Sequence, residues 1–191
     1  MKENRSVQKT KRHLKEALIY FLKEKSIHQV KVKELTEKAE INRGTFYFHY
    51  SDIYELLYEL EDDVFTELEK MFDQYDDNLE GDSEHPPLLE VLFSSLSEEC
   101  DIIYILLGPN GSRSFSSRID GWVDYHSRNI LQTAFPQVEP AYHRLVSAFL
   151  IRGVIGTFKT WYETGQKQSH QELAEIIRKI IGHAPTDSQK N

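Results

Sequence analysis

Four side chains that can donate hydrogen bonds lie close together in the stretch NRGTFYFHY, residues 42–50. They are Arg43, Thr45, Tyr47 and His49. A guanidinium can bond a guanine edge through two N–H groups, and a threonine can meet a base or a thymine methyl group. A phenol and an imidazole can each donate to a phosphate oxygen. The stretch indicates a nucleic-acid surface, with Arg43 and Thr45 as candidates for base contact.

The charge of the chain is divided unevenly. Residues 1–50 carry 12 Lys and Arg against six Asp and Glu, a net charge of +6, whereas residues 51–191 have a net charge of −14. A basic N-terminal segment can neutralise phosphates, while the acidic remainder would be repelled by them. The sequence therefore predicts that one end of the molecule faces DNA.

Apolar residues recur at helical spacing over most of the chain. They predict a helix at residues 9–25, two short helices near 32–39 and 41–50, and a long linking helix from Ile53 that ends in a loop at 76–87. Further helices are expected near residues 88–107, 115–133, 140–164 and 170–181. No strand-type alternation is present. The pattern predicts an all-α protein with an N-terminal three-helix, helix-turn-helix DNA-binding domain and a C-terminal helical domain.

Composition argues against several other classes of protein. The chain has 39% hydrophobic and 28% charged residues, as globular proteins do. Residues 1–8 lack the apolar stretch of a signal peptide, and the longest apolar segment, 145–158, is too short to span a bilayer. The lone Cys100 excludes a disulfide framework and suits the cytoplasm. No nucleophile elbow, phosphate loop or metal-ligand spacing occurs, so we expect no enzyme, no cofactor and no metal site, although a histidine metal sensor site is left open.

Residues 30–57, VKVKELTEKAEINRGTFYFHYSDIYELL, resemble the TetR family of bacterial transcriptional regulators. The family pattern is a hydrophobic-Thr-hydrophobic start, an Ile-Ala pair, a Gly turn and a Tyr-x-His-Phe close, and residues 42–50 match that close almost in full. It implies that Tyr47 and His49 hold phosphates and that Phe46 and Tyr50 pack. The LLGPNG motif at 106–111 and residues 161–181 resemble one C-terminal branch of that family.

Additional polar residues around the first two helices could clamp the DNA backbone on either side of the recognition helix. Any single lysine among them could equally belong to a solvated face. The candidates are Lys11, Arg12, Lys31, Lys33 and Thr36.

Three positions depart from the family pattern. Glu40 stands where the turn before the third helix usually has Gly, and a left-handed backbone there would cost about 1 kcal/mol. We therefore expect a slightly different turn. Lys31 replaces a capping Thr, which removes an N-cap acceptor but adds a phosphate donor. Ile53 replaces a lysine that often binds phosphate, so that contact is expected to be absent.

The C-terminal half carries the features of a dimer interface. Apolar residues occupy nearly the whole circumference of residues 145–162, and glycines within a helix are best explained by close helix approach. In the family, the corresponding two helices pair with their mates in a four-helix bundle. An ordinary internal core is the alternative. The expected interface residues are Phe149, Gly153, Gly156, Trp161, Leu173, Ile176, Ile177 and Ile180.

An aromatic cavity with a polar group could lie in the same half. Core packing explains most of these side chains equally well. By resemblance, a ligand bound there would move the linking helix and change the separation of the two recognition helices. The candidate residues are Tyr104, Phe115, Trp122, His126, Arg152 and Phe158.

These patterns together predict a cytoplasmic, homodimeric repressor that responds to an unknown small-molecule effector and binds a palindromic operator in double-stranded DNA. Residues 1–52 would form the DNA-binding domain, 53–183 the regulatory and dimerisation domain, and 184–191 a flexible tail. A membrane partner is not expected. An activator, or a helix-turn-helix-derived coregulator that binds protein, is the alternative, and Ile53 slightly favours the coregulator.

Overall fold

The structure is a computed structural model that describes residues 5–79, 100–134 and 138–182. Within these ranges all regular elements are helical, including two short 3-10 helices, Ile27–Gln29 and Pro140–Tyr142. The all-α prediction is confirmed for the described residues. The α-helices are α1 (Arg5–Leu22), α2 (Val32–Lys38), α3 (Arg43–His49), α4 (Ile53–Leu79), α5 (Cys100–Leu107), α6 (Arg113–Ala134), α7 (His143–Glu163) and α8 (His170–Gly182).

The helix limits differ from the sequence prediction mainly at α1 and α4. α1 starts earlier, at Arg5, and α4 continues to Leu79, beyond the predicted loop start at residue 76. Neither Gly nor Pro occurs in α4 before Leu79, so nothing in its sequence forces an earlier end. Residues 80–99, which include most of the predicted loop and helix at 76–107, lie outside the described residues.

The described residues fall into two compact units. The first extends to Leu68 and includes Asp101–Ser117; the second comprises Glu69–Cys100 and the residues from Arg118 onward. About four turns of α4 therefore pack with the three N-terminal helices. The functional boundary after residue 52 stays a prediction.

The first unit is built on apolar faces of α1 to α4. Phe46 is 0% and Tyr50 is 2% exposed, so the prediction that these two aromatic residues pack in the core is confirmed. Short helices such as α2 and α3 are marginal alone, and this shared core stabilises them. The buried residues they meet include Leu14, Leu18, Leu22, Leu35, Leu56 and Leu57.

The turn between α2 and α3 has a left-handed residue at Glu40, with φ 57°. The amide of Ile41 donates to the Thr36 carbonyl at 2.9 Å, and that of Glu40 donates to the Glu37 carbonyl at 3.3 Å. These two bonds are the pattern of a Schellman helix end. The expectation that Glu40 would change this turn is wrong, because the backbone keeps the left-handed conformation that favours glycine.

A buried carboxylate fixes the connection between α5 and α6. Glu61 of α4 is 1% exposed and accepts hydrogen bonds from the hydroxyl of Ser112 and, at 3.3 Å, from that of Ser114. Asn110 donates to the Leu22 carbonyl at 3.2 Å. A buried charge needs such partners. The start of α6 is therefore held against α1 and α4.

In the second unit, α7 and α8 share an apolar core. Phe158 and Trp161 are 1% and 5% exposed, and their ring centroids are 6.1 Å apart. The Trp161 indole N–H donates to the Gln168 carbonyl at 2.9 Å, which fixes the turn between the two helices. Leu173 and Ile177 supply the buried face of α8.

No helix among the described residues is both long enough and apolar enough to cross a bilayer. α4 is the longest at 27 residues, but carboxylates occur along its whole length.

Candidate nucleic-acid interface

The short helix α3 is defined by its caps. The Asn42 side chain accepts a hydrogen bond from the Gly44 amide at 2.8 Å, and the helix begins at Arg43. It ends at His49, because Tyr50 has extended backbone, φ −138° and ψ 135°. An N-cap asparagine of this kind typically stabilises a helix by about 1 kcal/mol. The cap and the buried Phe46 together fix which side of α3 faces solvent.

The structure brings four predicted residues together on α3. Arg43 is exposed, Tyr47 is 53% exposed, and Thr45 and His49 are half-buried. The Arg43 side chain has no hydrogen bond or ion pair with any other described residue. Its guanidinium is therefore available to a base edge or a phosphate at the N-terminal end of the helix.

Three more predicted cations are exposed. The Arg12 Nε atom lies 3.6 Å from Glu16 Oε1, and the Lys33 Nζ atom lies 3.9 Å from Glu37 Oε1. Lys31 is exposed at the N-cap of α2, where its amide donates to Glu34 at 2.7 Å. Exposed pairs of this kind contribute little stability, so a phosphate can replace the carboxylate partner at small cost.

Thr36 and Lys11 have partners inside the protein. Thr36 is 2% exposed, and its hydroxyl donates to the carbonyls of Val32 and Lys33 at 2.9 and 3.0 Å. The prediction that it contacts phosphate is wrong, because the side chain points into the core. The Lys11 ammonium lies 3.2 Å from Glu59 of α4, so its predicted phosphate contact would require that ion pair to open.

Glu59 also receives the ammonium of Lys15, at 2.8 Å. Partial burial raises the pKa of Glu59, but the hydrogen bonds and charges of Lys15 and Lys11 outweigh it, and the pKa is lowered overall. The ionised carboxylate thus joins α1 to α4. The sequence analysis missed this role because the partners lie 44 and 48 residues apart.

Phe48 is the other residue that the sequence analysis missed. Its side chain is 81% exposed, more than any other large apolar side chain among the described residues. Helical spacing was a signal that could have found it, because Phe48 lies roughly half a turn from the buried Phe46.

The predicted ligand residues are divided between the two units. Phe115 is fully buried and packs on Phe65 at 5.2 Å, and Phe158 packs on Trp161. Arg152 is exposed, and its guanidinium donates to Asp120 at 2.7 Å, so its predicted ligand contact would require that ion pair to open. Tyr104 and Trp122 are half-buried, and the side chain of His126 lies outside the described residues.

An open cleft of about 780 Å³ occurs in the first unit. Its lining includes His28, Tyr54, Tyr58, Glu61 and Arg113, and the His28 Nδ1 atom lies 2.8 Å from the Tyr54 hydroxyl. None of the six predicted ligand residues lines it. The cleft is large enough for a small molecule. Sequence analysis missed it because its residues come from three distant segments.

The predicted interface residues divide into exposed and buried groups. Phe149, Gly153, Gly156, Ile176 and Ile180 are exposed, and a Cβ atom added at either glycine would meet nothing within 4 Å. Trp161, Leu173 and Ile177 are at most 8% exposed. Their assignment to an interface is wrong, because they already form the core of the protomer's second unit. Among the described residues no cluster of His, Cys, Asp and Glu could hold a metal ion.

Comparison with known proteins identifies a matching family model and a relative. Residues 84–183, just over half of the chain, match a TetR-type family model described as "Transcriptional regulator C-terminal region". A segment of 63 residues is 35% identical to the uncharacterised HTH-type transcriptional regulator YxbF of Bacillus subtilis strain 168. That segment is 32% of this chain and spans only 17% of YxbF.

Solved structures share the fold over most of the chain. A transcriptional regulator of the TerR/AcrR family from Aquifex aeolicus VF5 is 20% identical, with a TM-score of 0.61, covering 91% of this chain and 98% of that one. The fatty acid degradation regulator FadR from Bacillus halodurans is 13% identical, with a TM-score of 0.68, covering 96% and 98%. The prediction of an N-terminal helix-turn-helix followed by a helical domain is confirmed.

Proposed function

Because the chain belongs to the TetR family of transcriptional regulators, we propose that it binds a palindromic operator as a homodimer, through α3, and represses transcription until an effector releases it. The observation that carries this proposal is the exposed side of α3. Arg43 has no hydrogen bond or ion pair with the residues that the structure describes, and Tyr47 presents its phenol to solvent. Seven helical residues span about 10 Å, which fits the major groove.

The charge distribution supports DNA as the partner. Exposed cations flank α3 on the first 50 residues, whose net charge is +6, whereas the rest of the chain has a net charge of −14. Phosphate contacts therefore come from Arg12, Lys31 and Lys33, with Tyr47 and His49. Base contacts come from Arg43 and Thr45.

The exposed side of α7 supports a homodimer. Leu145 and Phe149 are 68% and 76% exposed, and Gly153 and Gly156 continue the same stripe one and two turns later. On α8, Ile176 and Ile180 are 48% and 70% exposed. A second copy that covers these apolar surfaces gives an isologous interface, and its twofold symmetry matches a palindrome.

The effector is proposed to be a small molecule bound in the helical domain. Trp122 and Phe158, both in the second unit, remain candidates for its apolar contacts. An effector that prefers one spacing of the two recognition helices shifts the protein toward that state.

The test is selection of bound sequences from a random duplex library by the purified chain, at two salt concentrations. We expect a palindrome, with affinity that falls steeply as salt rises. Arg43→Ala should bind about 10-fold to 100-fold more weakly and lose preference at one base position. Lys167→Ala is the matched control, because Lys167 is an exposed cation of the second unit.

The outcomes separate the two classes of function. Enrichment without dependence on Arg43 would contradict the assignment of α3 as the recognition helix. The absence of any enriched sequence at either salt concentration would contradict operator binding and favour the protein-binding coregulator.

A further inference from the structure

Phe48 is an apolar side chain placed where α3 is farthest from its own core. At about 100° per residue, Phe48 lies roughly 160° from both Phe46 and Tyr50 around the helix axis. Those two residues are the ones that bury α3, at 0% and 2% exposure, while Phe48 is 81% exposed. The ring therefore stands at the centre of the outward side of α3.

Hydrogen-bond donors flank this ring on both sides. Arg43 and Tyr47 lie on one edge of the outward side, and Thr45 and His49 lie on the other, because their positions differ from that of Phe48 by about 60° to 140°. The ring centroids of Phe48 and His49 are 5.0 Å apart in an edge-to-face arrangement. When both edges bond to DNA, Phe48 faces the floor of the groove between them.

Gly44 opens the space next to the ring. It is one turn before Phe48, it is exposed, and it has no side chain. Helical side chains tilt toward the N-terminus, so the Phe48 ring lies over the surface at Gly44. A base edge can therefore approach the ring without meeting another side chain.

We propose that Phe48 is a specificity-determining residue whose ring packs against the 5-methyl group of a thymine. The proposal rests on the DNA-binding function proposed above. A phenyl ring cannot donate to or accept from a base edge, and the thymine methyl is the apolar group that the major groove presents. Contact with that methyl selects thymine over cytosine at one position of each half-site.

The test removes the methyl group from the DNA. Each thymine of the selected operator is replaced in turn, in both half-sites, by deoxyuracil, and affinity is measured by fluorescence anisotropy at fixed salt. At one of these thymines, replacement by deoxyuracil should lower the affinity of the parent protein on the order of fivefold for each methyl group removed. Phe48→Ala should bind the thymine operator more weakly and show no further loss with deoxyuracil there.

Two variants act as controls. Phe48→Leu keeps an apolar contact and should retain most of the sensitivity to deoxyuracil. Tyr58→Ala removes an aromatic ring of α4 that is 61% exposed, and it should behave like the parent protein. If Phe48→Ala remains as sensitive as the parent at every thymine, the proposal is overturned while operator binding stands. If the parent selects no sequence, the proposed function fails before Phe48 is tested.

Discussion

Phe48 on α3 and Phe149 on α7 are exposed to nearly the same degree, 81% and 76%, but their neighbours differ. Phe48 lies among the donors Arg43, Tyr47 and His49. Phe149 lies one turn after Leu145 and one turn before Gly153, and the donor nearest to it in helical spacing, Arg152, is paired with Asp120. The residues around each exposed ring thus decide whether a nucleic acid or a second protein surface fits it.

The backbones that present these two rings also contrast. The turn before α3 has Glu40 in a left-handed conformation that favours glycine, with φ 57°. α7 contains Gly153 and Gly156 at helical positions that favour alanine. Residue choice therefore opposes local backbone preference at both sites. The proposed dimer gives a reason only at α7, where a helix of the second copy would approach closely.

Phe149→Glu should have the largest effect of the changes that separate the two surfaces. A carboxylate in an apolar interface is buried twice in a symmetric dimer, so association should weaken by several kcal/mol. Sedimentation velocity should show a monomer, and operator affinity should fall by about 100-fold or more, because one recognition helix makes half the contacts. Circular dichroism should be unchanged, because the side chain is exposed in the protomer.

Two other variants sharpen this result. Tyr125→Glu places the same charge at a residue of α6 that is also 76% exposed, and it should remain dimeric. Phe48→Glu should remain dimeric but lose operator binding, because it places a carboxylate against the base edges inside the negatively charged groove. A dimer that survives Phe149→Glu would show that the stripe on α7 is not the interface.

The sequence predicted α3 better than α7 for a physical reason. Arg43, Thr45, Tyr47 and His49 lie within two helical turns, so local spacing alone places them on one short helix. Trp161 and Ile177 were misassigned because their burial depends on how α7 and α8 pack, which periodicity does not specify. Glu61, Ser112 and Ser114 meet across 51 and 53 residues, and no local pattern predicts that contact.

Gly153→Ala should change the protomer and the dimer in opposite directions. An added Cβ meets nothing within 4 Å in the protomer, so alanine should stabilise α7 by about 1 kcal/mol. The same methyl group should weaken association if a partner helix lies against Gly153. Urea unfolding in the Phe149→Glu monomer measures the first effect, and the dimer dissociation constant measures the second.

The matched control for Gly153→Ala is Gly121→Ala on α6, where an added Cβ also meets nothing within 4 Å. Both substitutions should stabilise the protomer, but only Gly153→Ala should weaken the dimer. Equal dissociation constants for the two variants would place the helix contact elsewhere.

Glu40→Gly should stabilise the first unit by up to about 1 kcal/mol, because glycine adopts positive φ without steric cost. Operator affinity should not change, since Glu40 precedes α3 and is absent from its outward side. Chemical unfolding and anisotropy measure the two quantities. Glu16→Gly, in the interior of α1, should instead destabilise by about 1 kcal/mol. Stabilisation by both substitutions would mean that the turn geometry is not the cause.

The smallest effect should come from acid, and it should differ between the two regions. The pKa of Glu59 in the first unit is lowered: burial raises it, but the paired Lys15 and Lys11 outweigh that effect. The pKa of Glu172 at the start of α8 is lowered by hydrogen bonds from Ser169. A carboxylate whose pKa is lowered in the folded state stabilises the protein at pH values above its ordinary pKa of 4.5. This stabilisation is lost as the pH falls from 4.5 through the folded-state pKa.

Glu59→Gln removes the ion pair at every pH. At pH 7 the unfolding free energy of this variant should therefore be lower than that of the parent. The difference should be no more than about 1 kcal/mol, because the pair is partly solvated. The difference should shrink as pH falls through the folded-state pKa, since the parent then loses the same charge. Glu172→Gln, on an exposed cap, should show the same direction with a smaller change. A larger effect of Glu172→Gln would mean that the cap of α8 contributes more stability than the ion pair that joins α1 to α4.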